Sequence, residues 1–299
     1  MKSLFKKLLV PAMLLSACGL YAQGDKPSLK DSALAVQDSI KANKKNVFNT
    51  SVNYVSRLNY LGRVDSLKSS GLFPIIGIES KMGLYANGTF IFTQNSAQPL
   101  TYAGTSIEGG YKFPESKHFS GNIFYTQFLY QQTATIVESA LKEQTGVNLT
   151  WKNKFVNVTG GGDIKFSGQT DIGVTGAFDH LFIFKLTSIK KAAVAINPTA
   201  TINAGTQKFE QTYSKRVGGI LGLPGTSLTG TENVSQFNVL SYEFTVPVVF
   251  VVNKFYAVLT PAYVLPQNLV TVKNRPDLSE TGNNLFYVTA TLGMRLEFR

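Results

Sequence analysis

The sequence predicts an all-β protein: a closed antiparallel up-and-down transmembrane β-barrel of about twelve strands, with short periplasmic turns and longer outer loops. Three observations carry this expectation. From Phe48 to the C-terminus, apolar and polar residues alternate with period two, the mark of strands with unlike faces. After the N-terminal segment, no apolar run approaches the ~18 to 20 residues of a membrane-spanning helix. The best run, Val246 to Val252, is short and contains Pro247. The alternating segments reach about a dozen residues, whereas strands of soluble sandwiches usually have about 5 to 6. Without spanning helices, a membrane protein must satisfy its backbone hydrogen bonds between strands, which requires a closed barrel.

Along the chain, residues 1–23 read as an export signal. Lys2, Lys6 and Lys7 form a basic start, Leu8 to Leu15 an apolar stretch, and Ala22-Gln23 the end of a small-residue region. An alternative is a lipoprotein signal, because Leu15-Ser16-Ala17-Cys18 has the small-residue-then-cysteine form in which Cys18 is acylated. Cleavage after Ala22 or Gln23 removes the only cysteine, excluding disulfides, zinc-thiolate sites and cysteine nucleophiles from the rest. Residues 24–46 are polar and lysine-rich, with Leu29, Ala33, Val36 and Ile40 at helical spacing, and read as a leader with one short helix. Residues 47–299 form the barrel domain.

The last strand shows the alternation best. Phe286, Val288, Ala290, Leu292, Met294, Leu296 and Phe298 share one face, opposite Tyr287, Thr289, Thr291, Gly293, Arg295 and Glu297. Its terminal aromatics lie twelve positions apart, roughly 28 Å of height at ~3.3 Å per residue and a tilt near 45°, close to the thickness of an outer-membrane apolar band. Phe48 and Tyr60 predict a first strand of the same length, with Asn49, Ser51, Asn53, Arg57 and Asn59 facing away from Val52, Tyr54 and Leu58. The same rule places strands near 48–61, 71–80, 83–94, 101–113, 118–131, 145–152, 155–166, 170–185, 193–206, 236–252, 254–266 and 284–298. Short connections at 81–82, 114–117, 153–154, 186–192 and 253 alternate with mostly longer ones at 62–70, 95–100, 132–144, 207–235 and 267–283, the exception being 167–169. An even strand count puts both ends in the periplasm.

The formal charge of +11 falls to +8 when three signal lysines leave the 29 basic residues, against 18 acidic ones. In an exported chain this excess points to a solvated rim and to anionic lipid headgroups rather than to nucleic acid. The signal ending Ala22-Gln23, the segment Tyr60-Leu-Gly-Arg-Val-Asp65 leading to Pro74-Ile-Ile-Gly-Ile78, then Ser80-Lys81-Met82-Gly83-Leu84, and the C-terminal strand together resemble uncharacterised outer-membrane β-barrel proteins of Bacteroidota. The resemblance implies a barrel handled by the export and barrel-assembly machinery and seated in outer-membrane lipid. It carries no defined activity, and Arg299 follows Phe298 where many such barrels end on the aromatic itself.

Charged residues opposite the apolar face are candidates to line or fill a lumen: Arg57, Glu79, Glu108, Lys112, Asp163, Lys165, Asp171, Asp179, Glu243, Arg295 and Glu297. They read either as a polar pore with local charge selectivity or as interior ion pairs that close a narrow barrel. His118-Phe119-Ser120 is the enzymatic alternative: a histidine base and serine nucleophile two positions apart share a strand face. It resembles a fragment of the His-x-Ser-Asn-Gly motif of outer-membrane phospholipases and lipid A deacylases, with Gly121 and Asn122 in reversed order and Gln132 where Asn or Glu would orient the base. His180, with no second histidine nearby, reads as a packing residue and supports no metal site. Gly160-Gly161-Gly162 lacks the lysine and helix of a phosphate loop and reads as a bend or close packing. The long 207–235 loop is a candidate for recognition or for a cap. The expected function is a passive small-solute channel or a surface scaffold with an extracellular partner, without cofactor or metal. The alternatives are a lipid hydrolase and an exported soluble β-sandwich.

Overall fold

The computed structural model describes residues 45–64, 68–130, 141–167, 170–186, 192–206, 237–269 and 284–298. The predicted signal, Cys18, most of the leader and the 207–235 loop lie outside them. The chain runs through β1 (Asn46–Val55), the short β2 (Asn59–Tyr60) and β3 (Arg63–Val64), then β4 (Ser70–Glu79), β5 (Leu84–Gln94) and β6 (Thr101–Lys112). It continues with β7 (Phe119–Tyr130), β8 (Glu143–Trp151), β9 (Asn157–Phe166), β10 (Thr170–Asp179), β11 (Phe182–Leu186) and β12 (Ala192–Ile196). The rest is β13 (Thr199–Gly205), β14 (Asn238–Thr245), β15 (Val248–Val252), β16 (Phe255–Pro266) and β17 (Leu285–Phe298).

Every neighbouring pair is antiparallel, and β17 pairs with both β16 and β1, so the sheet closes on itself. Three long strands are bent rather than ended. β10 continues into β11, β12 into β13 and β14 into β15 with unchanged register, and the barrel therefore has twelve staves. The bends meet in one row, where Pro198, Pro247 and Pro261 lack an N–H. The carbonyls around them still accept: His180 N–H donates to Pro198 O (3.3 Å), Asn197 N–H to Pro247 O (3.0 Å) and Val246 N–H to Pro261 O (3.1 Å). A closed ring leaves no sheet edge, and it excludes the soluble sandwich, whose sheets have open edges.

Alternation sorts the faces. On β17, Leu285 is 8% exposed, Phe286 62% and Tyr287 2%. The outward set is apolar on every side, with Ile76 and Ile78 on β4, Ile107 on β6, Ile123 on β7, Leu149 on β8, Ile172 on β10, Phe244 on β14 and Leu259 on β16. Aromatics ring the short-turn end through Phe119, Trp151, Phe155 and Phe255, and the long-loop end through Tyr54, Phe166, Tyr263 and Phe286. Such a belt, exposed while polar side chains are buried inside, inverts a soluble protein and suits hydrocarbon outside.

The first strand departs from its prediction. It ends at Val55, and Tyr60, expected at its rim, lies on β2 of a separate hairpin with β3. Arg57 accordingly sits in the connection after β1 and not on the stave. The hairpin turns through Leu61 and Gly62, both at positive φ (51° and 88°), and Asn59 Oδ1 accepts the Gly62 N–H at 3.1 Å. Leu61, at its tip, is buried to 3% exposure. The sequence carries a sign of this, since Val55 and Ser56 exchange the faces on which β1 keeps its polar and apolar residues, and the 48–61 prediction runs through that break.

Candidate functional site

Of the eleven charged candidates, the ten on staves belong to the inward-facing parity, and Asp163, Lys165, Asp171, Asp179 and Glu243 are buried. They form two groups. At the short-turn end, Glu79 on β4 pairs with Lys112 on β6, and Glu297 on β17 pairs with Lys45 at 3.3 Å. Lys112 also lies 5.4 Å from the ring centre of Tyr85 on β5. Lys152, in the β8–β9 turn, is buried against Glu115 at 2.5 Å, a pair absent from the sequence candidates: Glu115 falls in the predicted 114–117 turn, and the predicted 145–152 strand ends in the structure at Trp151. Asp179 accepts from Asn157 Nδ2 at 3.0 Å. Glu108 accepts from Asn87 Nδ2 (3.5 Å) and Thr126 Oγ1 (3.3 Å).

Toward the long-loop end, Asp163 and Lys165 on β9 pair with each other, and Asp163 also accepts from Gln144 Nε2 at 3.3 Å. Asp171 accepts from Thr206 Oγ1 at 2.5 Å, and Glu243 from the Tyr287 hydroxyl at 2.7 Å. The β2–β3 hairpin reaches this level. Tyr60 and Leu61 line one cavity together with Asp163, Lys165 and Asp171, although β9 is the seventh stave counted from β1 and thus opposite it. Arg63 donates to the carbonyls of Leu240 (3.4 Å), Gln267 (3.0 Å) and Asn268 (3.4 Å), tying the hairpin to the β14 and β16 ends. Beside it, Val55, Phe73, Ile91, Ala103, Ala262, Val264, Leu285 and Tyr287 form an apolar cluster inside the barrel, with Leu58 packed on it. The sequence signal for this cluster was Leu72-Phe73-Pro74-Ile75-Ile76, apolar on both faces.

Between these ends the wall carries short hydroxyls and amides: Ser51, Asn53, Thr89, Ser106, Thr126, Asn148, Thr150, Thr159, Thr175, Thr201, Asn203, Ser241 and Thr291 are all buried. Some join across staves, as in Thr175 Oγ1 to Asn203 Oδ1 (3.1 Å) and Asn203 Nδ2 to Ser241 Oγ (3.0 Å). Glycines accompany the larger inward side chains. A Cβ on Gly293 would fall 2.0 Å from the Tyr256 hydroxyl, one on Gly173 2.0 Å from Asp163 Oδ1, one on Gly161 2.3 Å from Asn148 Oδ1, and one on Gly77 2.2 Å from Asn87 Oδ1. In each case the glycine is the direct cross-strand partner of the residue that covers it. The side chain therefore lies over the neighbouring stave, flat against the wall. Gly161 thus fulfils the expectation of close packing, while Gly160 meets nothing.

The enzymatic alternative does not assemble. His118 is exposed in the turn before β7, whereas Ser120 is buried and faces inward, with its Oγ lacking any hydrogen-bond partner. A histidine base would have to bond that oxygen to activate it. His180 packs its ring 4.6 Å from that of Phe182 and places Nδ1 2.5 Å from Phe155 O, in keeping with the packing role expected of it. Among the described residues, no group of three or more histidine, cysteine or acidic side chains is arranged to hold a metal.

No family model matches the chain, and no curated protein sequence is significantly similar to it. Among solved structures it is similar to the KdgM porin, at 9% identity and a TM-score of 0.45, over 84% of this chain and 99% of that one. The NanC porin gives 11% and 0.40, over 83% and 100%. LpxR from Salmonella typhimurium gives 9% and 0.43, over 82% and 99%. These likenesses concern barrel architecture and bring no solute or reaction with them.

Proposed function

We propose that this protein is an integral outer-membrane barrel, exported through a cleaved N-terminal signal, that serves as a passive conduit for small polar solutes. The observation that carries the reading is the flattened lumen wall. Tyr256, Asp163, Asn148 and Asn87 each lie over a glycine of the next stave instead of reaching toward the barrel axis. A barrel whose interior only had to be filled would place bulk there, as eight-stranded barrels do. The hydroxyls and amides of this wall are buried in the structure, so passage requires them to part; being uncharged, they replace water contacts without binding any one ion tightly. The hairpin at the long-loop end then sets the narrowest point of the mouth. The apolar belt and paired aromatic rings support insertion into a bilayer. The Tyr60-to-Val64 stretch that resembles Bacteroidota barrels is the stretch that builds the hairpin.

The test is conductance in a planar bilayer. Discrete steps are expected, and Gly293→Val, which drives the Tyr256 phenol off the wall, is expected to lower the step size without altering heat-modifiable migration on a gel. Absence of steps from correctly folded protein would refute the conduit.

A further inference from the structure

One sector of the outer face, at the short-turn end, combines cations with aromatic rings. Phe119 on β7, Trp151 on β8, Val158 on β9 and Phe178 on β10 are successive cross-strand partners on the outward parity and form one apolar row. Phe119, Trp151 and Phe178 are 58%, 46% and 51% exposed. The turns that lead into this row are fastened together. Lys152 N–H donates to His118 O at 2.7 Å, and the Lys152 ammonium is buried against Glu115 at 2.5 Å. His180, at the β10–β11 bend, joins them by placing Nδ1 2.5 Å from Phe155 O. Both histidines of the chain and its single tryptophan therefore lie in this sector.

Cations crown the row. Lys117 and Lys154 are exposed, and the Lys154 ammonium lies 5.9 Å from the ring centre of Phe155, itself 77% exposed. His118 adds an exposed ring N–H donor between Lys117 and Phe119. Among the described residues neither lysine is paired with a carboxylate, and the nearby carboxylates are engaged: Glu115 by Lys152, and Asp179, on the inward side, by Asn157 Nδ2 at 3.0 Å. Lysines at a membrane surface draw anionic headgroups, while aromatic rings settle at the boundary between headgroups and chains. A free phosphate would use the ammonium groups alone and leave the apolar row uncovered. We propose that this sector binds an anionic phospholipid of the phosphatidylglycerol class, its phosphodiester among Lys117, His118 and Lys154 and its chains along Phe119, Trp151 and Phe178. The proposal rests on the outer-membrane reading and deepens it by naming the lipid class that the barrel selects.

Trp151 stands in the row and is the only tryptophan of the chain, so its fluorescence reports which lipid lies there. The full mature chain is folded into phosphatidylcholine vesicles containing either phosphatidylglycerol or phosphatidylcholine with brominated chains, and quenching is compared at equal mole fraction. Wild type is expected to prefer the brominated phosphatidylglycerol by at least about fivefold, the factor that ~1 kcal/mol for a surface lysine gives. The double variant Lys117→Gln/Lys154→Gln should bring the preference close to parity, whereas Lys81→Gln, in the β4–β5 turn, should leave it unchanged. These side chains are exposed, so all variants should keep heat-modifiable migration. Equal quenching by the two lipids in wild type, a preference untouched by the double variant, or an equal loss in Lys81→Gln overturns the site. Inorganic phosphate that abolishes the preference more than sodium chloride of the same ionic strength also overturns it, in favour of a free-phosphate site. Quenching by neither lipid would sink the outer-membrane reading itself, whereas equal quenching by both keeps the barrel and removes only the site.

Discussion

Buried carboxylates inside the barrel are each held by a specific neighbour, and this makes their environment testable one residue at a time. Glu243 is 2% exposed and accepts the Tyr287 hydroxyl at 2.7 Å. Tyr287→Phe removes that donor and leaves the ring, so the barrel should lose about 1.5–3 kcal/mol, the usual worth of a hydrogen bond to a charged group. Urea unfolding followed by Trp151 fluorescence should show a lower midpoint at unchanged slope. A bare carboxylate cannot be recognised as bonded or free from its place in an alternating pattern. Glu243 and Glu297 had the same standing in the sequence, yet one lies deep against Tyr287 and the other sits at the rim with Lys45.

The β2–β3 hairpin is the element whose behaviour separates the interior from the wall. Its polar anchors of long sequence range include those of Arg63 to the Leu240, Gln267 and Asn268 carbonyls, and its turn carries a leucine at φ 51°, a conformation that disfavours any side chain. Arg63→Ala should therefore loosen the tip and raise single-channel conductance with little change in unfolding midpoint. Replacing 59–64 by a short glycine-serine linker should raise it further. If neither change alters the step size, the hairpin does not limit the mouth. Gly62 cannot be enlarged cheaply, because a Cβ there would meet the Val264 methyl at 2.9 Å and Pro266 at 3.2 Å. Gly62→Val should displace the hairpin and mimic the deletion.

At the scale of the molecule, twelve staves closed by the β16–β17 and β17–β1 pairings predict a single cooperative body that resists carbonate extraction from membranes and migrates differently on a gel before and after boiling. Full release into the soluble fraction would contradict the exposed apolar belt. Strand positions, inward parity and the alternation of short and long connections were legible in the sequence. Each follows from the local rule that successive residues point to opposite faces, and the membrane makes one of those faces apolar along the whole chain. Tertiary structure alone decided three things: that residues 59–64 form a hairpin off the wall whose Tyr60 and Leu61 line a cavity with residues of β9, that Gly77, Gly161, Gly173 and Gly293 stand opposite the side chains they accommodate, and that Arg295 meets Asn49. All three depend on which stave neighbours which and at what register, and on contacts between residues as far apart as 49 and 295. Period-two alternation states which face a residue takes, but it contains no information about what lies across the barrel.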